Sequence, residues 1–325
     1  MADDNFGLKD ADFWGDPLQP AGGIPEDGLH LAAPSAVGLS KRDTLPLVVR
    51  RAGLMRELSS LPFPQRAVLT AVELEGNRFY SGFALDADED VEEVFTAQDL
   101  EEMGEGRMLQ PYLLEAREQL NLPWQPARLL LGVILRDKIS NRCKVGLGAE
   151  PGAYEDPAIA EFIEKRRLKS SPLPPWPRSA GDGGLPAYGR MDGSPKVPDK
   201  PGIVISGDRV TLWEKNASCR IYGACKLTIL KPDLVNDKDR PERAVVNVHL
   251  LLTGADDPTP LTTTLRVPIF EQVEPGKSVA VYFAVDLLDL FNLQRETTTY
   301  FLYAFSREAF AGSSPFAFVT RDRLP

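Results

Sequence analysis

Two histidines and three cysteines bound the chemistry open to this chain of 325 residues. His30 and His249 are too few for a multi-histidine copper, iron or hydrolytic zinc centre. His249 follows Asn247 by two positions in the run Val-Val-Asn-Val-His-Leu-Leu-Leu over 245–252, so both belong to one strand face. That spacing predicts a polar side chain on the solvated side of a strand. A Ser-His-Asp or Cys-His site would have to use His249, and no Gly-x-Ser-x-Gly elbow accompanies it. Cys219 and Cys225 flank five residues, a wider gap than a zinc knuckle uses, with Cys143 and His249 left to complete a ligand set. Buried thiols are the expectation, with a disulfide as the sharper alternative if the chain folds back at Gly223. No cofactor or metal is expected.

Carboxylates offer more. Residues 86–105 hold ten of them and no Lys or Arg, a charge equal to the −10 of the whole chain. Asp86-x-Asp88-x-Asp90 has the opening of a calcium loop, but Val91 stands where the loop needs Gly and Ala97 where it needs Glu. The plain reading is a solvated acidic loop. The functional one is an electrostatic docking surface in which Asp88, Asp90, Glu92 and Glu93 steer a basic partner. Nothing among the 47 acidic residues singles out an acid/base pair. Gly181-Asp182-Gly183-Gly184 lies in a Pro-rich stretch without the preceding strand and following helix of a dinucleotide site.

The elements that position these groups are mainly β. Residues 1–44 carry four prolines and few aliphatics, and read as an extended arm in which Phe6, Phe13, Trp14 and Leu18 serve as anchors. Residues 45–150 read as a β domain. Pro46 marks an edge strand, Glu75-Gly76-Asn77 turns one hairpin, and residues 136–141 turn another. A helical insertion separates the hairpins, with Thr96 to Asp99 as a capping signal and Pro111 opening a second helix to Leu120. Within residues 151–201, Asp156-Pro157 starts a helix, and eight prolines and five glycines over 170–201 mark a stiff linker. Residues 202–325 alternate short strands with turn residues, the pattern of an antiparallel sandwich, with one short helix over 286–293. The aromatic strand Tyr300-Phe301-Leu302-Tyr303-Ala304-Phe305 is apolar on both faces and so should be central.

The fold expectation is therefore two antiparallel sandwich-like domains, the first with a helical insertion, joined by a helix and a Pro/Gly-rich linker. Leu129 to Asp137 and Tyr300 to Glu308 echo each other, each an apolar strand ending in a basic-acidic pair. Convergence of two hairpins is the simpler account, duplication of one sandwich the other. A pI near 4.9 argues against nucleic acid as partner. No run of about eighteen apolar residues is present, so no membrane helix is expected. The acidic N-terminus lacks the pattern of a secretory signal and the cysteines are few, which fits a cytoplasmic protein. The expected function is non-enzymatic: protein-protein interaction or self-association through the arm and the sandwich surfaces. A carbohydrate or small-ligand module using the aromatic strand as a stacking platform, and a metal-independent carboxylate enzyme, are the alternatives.

Overall fold

A computed structural model describes residues 27–39, 45–54, 66–84, 107–123, 125–148, 186–214, 217–234, 244–257, 259–271, 273–294 and 296–320. Two compact units emerge. The first is Met1–Glu73 with Phe79–Ala160, the second Leu74–Arg78 with Glu161–Pro325. The expected acidic insertion, the helix after Asp156 and residues 170–185 of the linker lie outside the described residues.

In the first unit, β1 (Gly28–Ala32), β3 (Pro46–Leu54) and β6 (Arg107–Glu115) form one antiparallel sheet in that order. The facing sheet has the order β2 (Ala36–Val37), β9 (Cys143–Leu147), β7 (Ala127–Leu135), β4 (Val68–Glu73), β5 (Arg78–Phe83). The short β8 (Lys138–Ile139) also pairs with β7, and β2 runs parallel to β9. Leu47, Leu69, Leu114 and Leu131 fill the core between the sheets. Alternation along β3 and β7 is what delivers one apolar face to it.

The second unit repeats the plan. β11 (Gly202–Gly207), β13 (Arg220–Thr228) and β16 (Ser278–Asp286) form one antiparallel sheet, extended at the far edge by β10 (Ala187–Tyr188). The other has the order β12 (Val210–Leu212), β18 (Ala309–Val319), β17 (Thr298–Ser306), β14 (Ala244–Gly254), β15 (Leu261–Ile269), with β12 parallel to β18. Ile221, Leu250, Phe283, Leu302 and Phe316 form its core. β17 lies between β18 and β14, central as its two apolar faces predict.

The correspondence is residue for residue. Pro46 faces Glu115 and Leu54 faces Arg107, as Arg220 faces Asp286 and Thr228 faces Ser278. From β6 through β7 the first unit matches β16 through β17 without a gap. Arg107, Ala127 and Arg136 correspond to Ser278, Thr298 and Arg307. Asn121 and Asn292 both take left-handed φ (48° and 49°), as do Arg136 and Arg307 (53° and 50°). The echo between the two late hairpins thus extends far beyond the hairpins themselves.

A short helix follows β6 and β16, α1 (Ala116–Gln119) and α2 (Leu287–Phe291) respectively, and a carboxylate caps each. Glu115 Oε1 accepts from the amides of Leu45 (2.6 Å) and Arg117 (3.1 Å), and Oε2 from that of Glu118 (2.8 Å). Asp286 Oδ1 accepts from Leu288 (3.0 Å) and Cys219 (3.3 Å), and Oδ2 from the Ser218 hydroxyl. One side chain thereby satisfies helix N-terminal donors and the residue preceding a core strand.

Several expectations are corrected. Residues 28–37, expected within the arm, form β1 and β2. Pro46 is the first residue of β3, which is central in its sheet; a strand's first position tolerates the missing N–H as well as an edge does. Pro111 starts no helix: it lies within β6, at the edge of its sheet, where strand pairing outweighs helix propensity. The linker's end packs down, with Tyr188 of β10 in the second core.

Gly223 sits opposite Phe283, and a Cβ there would lie 2.0 Å from Phe283 Cζ. Gly223→Ala must push a fully buried ring, so it should cost roughly 1–3 kcal/mol, read as a lowered urea midpoint. Asp286→Ala removes a cap and leaves the Cys219 amide, at a buried residue, without this partner. Its expected cost is about 2–3 kcal/mol by the same measurement, with Asp286→Asn milder.

Candidate functional site

Among the described residues no three His, Cys, Asp or Glu side chains gather as metal ligands. Cys219 and Cys225 are free and lie along one continuous extended segment, because the chain passes straight through Gly223 within β13 instead of turning there. A disulfide between them is thereby excluded. Burial pushes the Cys219 thiol up to about 11, and Cys225 higher still. Neither is an activated nucleophile. Phe6, Phe13, Trp14, Asp88, Asp90, Glu92 and Glu93 lie outside the described residues.

Among the described residues, a dense polar cluster surrounds His249. Expected on a solvated face, it is 2% exposed. Within the second unit, Asn77 of the segment Leu74–Arg78 supplies the covering groups. His249 Nε2 lies 2.8 Å from the Asn77 carbonyl oxygen and 3.2 Å from its Oδ1, while Nδ1 lies 2.9 Å from Thr264 Oγ1. Two acceptors at Nε2 require the proton there, leaving Nδ1 to accept from the Thr264 hydroxyl. Asn77 Nδ2 donates to the Asn247 carbonyl (2.8 Å) and to Ser306 Oγ (3.2 Å), and Ser306 Oγ donates to the same Asn247 carbonyl (2.7 Å). The Arg307 amide donates to Asn77 Oδ1 at 3.0 Å. Asn77 holds φ 46°, a conformation Asn tolerates better than most residues. The Arg307 guanidinium pairs with Asp233 and reaches the Thr228 carbonyl at 3.2 Å.

This arrangement serves structure. His249 has both nitrogens engaged, and the Ser306 proton points to a carbonyl instead of an imidazole, so the pair lacks the geometry of an activated nucleophile. The aromatic strand offers no sugar platform at its inner end, since Tyr303 and Phe305 are buried.

The surface is more informative. Val210 is 62% exposed, Leu212 41% and Phe270 56%. Val210 and Leu212 alternate with Thr211, which is buried at 6%, so β12 presents its apolar residues outward and its polar one inward. In the first unit the equivalent β2 has the ordinary polarity, with Val37 buried and Ala36 and Gly38 outside it.

No protein-family profile matches the chain, and no curated protein matches it. Among solved structures, one described as the structural basis of neurohormone perception by the receptor tyrosine kinase Torso is similar at 5% identity. That match covers 93% of this chain and 78% of that one, with a TM-score of 0.17. The FN1–FN3 domains of chicken CNTN1 are similar at 9% identity over 89% of this chain and 63% of theirs, with a TM-score of 0.16. At such scores neither carries a functional argument.

Burial lowers the pKa of His249 to about 4, against a partial opposing effect of its bond to the Asn77 carbonyl. A depressed histidine means the unfolded chain binds the extra proton first. Stability is therefore complete above the unfolded value near 6.5 and is lost as pH falls towards 4. Between pH 7 and pH 5 the loss from this group should be about 2 kcal/mol in urea unfolding. His249→Gln should flatten the profile by that amount; equal slopes in the two proteins would show that His249 titrates as if unfolded.

Proposed function

We propose that this chain is a non-enzymatic interaction and assembly protein whose two sandwiches present binding surfaces to other polypeptides. What carries the reading is β12, a sheet-edge strand that turns Val210 and Leu212 outward while burying Thr211. Exposed apolar residues at a sheet edge are features that soluble folds suppress unless a partner uses them. Around the sandwiches, Phe6, Phe13 and Trp14 act as anchors of an N-terminal arm that docks on a neighbouring subunit. Asp88, Asp90, Glu92 and Glu93, in the connection between β5 and β6, steer a basic partner towards it. The second unit spans the equivalent connection, 270–277, without such a charge run. The three free thiols suit a reducing compartment, and we assign the protein to the cytoplasm.

Deleting residues 1–26, which stops short of β1, should leave both sandwiches folded and lower the solution mass by light scattering. An unchanged mass would remove the arm from the assembly mechanism. Replacing the four named carboxylates by their amides should slow association with a basic partner several-fold at low salt, with little change at high salt.

A further inference from the structure

We propose that the open edge of β12 is a docking site for one extended strand of another protein, carrying basic, apolar, apolar and basic residues at alternate positions. The inference rests on the edge-strand reading above, to which it gives a partner, and it can fail while arm-mediated assembly stands.

The backbone defines the site. β12 pairs only with β18 among the described residues. The carbonyl of Arg209 accepts from Ala317 at 2.8 Å and the amide of Trp213 donates to Val319 at 3.0 Å, so the odd-numbered residues face β18. Hydrogen-bonding direction alternates along a strand, which turns the N–H and C=O groups of Val210 and Leu212 towards the open side. An added strand would meet two donor–acceptor pairs already set at strand spacing.

The side chains define the partner. Val210 and Leu212 stand outward beside the half-buried Ala317 and Val319 of β18, forming an apolar strip that reaches the edge. Exposed Asp208 and Glu214 flank it, two positions away on either side, with exposed Arg209 between Asp208 and Val210. The fold does not demand this strip, because the equivalent positions in the first unit are Ala36 and Gly38. A second copy fits poorly: antiparallel self-pairing about Thr211, which sets Val210 against Leu212, also sets Asp208 against Glu214 twice. Like charges directly opposite are unfavourable. A strand with Lys or Arg at those two positions reverses the sign of both contacts.

The test uses the full-length chain and a labelled peptide, acetyl-Lys-Thr-Val-Thr-Val-Thr-Lys-amide, followed by fluorescence anisotropy. Saturable binding is expected, at least tenfold weaker when both Lys are replaced by Glu. Leu212→Pro removes one edge N–H where proline is tolerated and should also weaken binding at least tenfold, with thermal unfolding unchanged. Should that variant unfold, Val210→Ser with Leu212→Ser tests the apolar strip alone, and a several-fold loss is expected. Absence of saturable binding to the wild type, or equal binding by the edge variants, overturns the proposal. Dimerisation of the wild type that Leu212→Pro abolishes overturns it in favour of a second copy. Arm-dependent mass is measured separately by the deletion of residues 1–26, so the two readings fail on different results.

Discussion

Both sandwiches depend on one constraint: the chain must leave one sheet and enter the other without orphaning the amides it exposes at the crossing. A carboxylate solves it each time. Glu115 ends β6 and Asp286 ends β16, and each accepts hydrogen bonds from the helix that follows and from the residue preceding a core strand. The same residues fix the pairing register, since Glu115 lies opposite Pro46 and Asp286 opposite Arg220. Helices of four and five residues are too short to persist by propensity. Capping and burial of Ala116 or Leu287 hold them, and the following left-handed Asn121 or Asn292 turns the chain into the next strand.

Because one plan is used twice, the molecule supplies its own control. Positions that agree between the units are what the fold requires: the capping carboxylates, the left-handed residues, the parallel pairing of the short edge strand. Positions that differ are open to function. The acidic run between β5 and β6 has no counterpart, and outward Val210 and Leu212 replace outward Ala36 and Gly38. In the second unit the left-handed Arg307 is also recruited into the polar cluster, its amide on Asn77 and its guanidinium on Asp233. A buried ion pair is weak support for stability but costly to break from one side.

Local signals were legible where local chemistry decides. Glu75-Gly76-Asn77 turns a hairpin because Asn accepts φ 46°, and the short helix after Asp286 forms where that carboxylate reaches the Leu288 amide. The Arg-acid pairs at the ends of β7 and β17 echo each other in the sequence, yet alone they favour convergence of two hairpins; the matched registers and left-handed positions of the flanking segments are what reveal the repeat. Long-range decisions were not legible. Residues 107–120 are rich in helix formers, yet β3 claims the first nine of them as a strand. His249 reads as a solvated polar residue until Asn77, distant in sequence, is brought against it. Phe6, Phe13 and Trp14, expected from the sequence to serve as anchors, lie outside the described residues.

The edge strand β12 shows why alternation alone misleads. Val-Thr-Leu alternates as a strand does, but a period of two defines two faces without saying which is buried. The neighbouring register decides it: Thr211 pairs with Phe318, whose ring is buried in the core, and this commits Val210 and Leu212 to the outside. Leaving about half of each side chain in water forgoes roughly 1 kcal/mol apiece. Two such side chains and a few backbone hydrogen bonds, at about 1 kcal/mol each, barely match the 4 kcal/mol or more that association costs. An edge of this size therefore supports weak, rapidly exchanging contacts when used alone. It becomes strong when a second contact on the same basic partner has already paid the association entropy, as the acidic segment between β5 and β6 would.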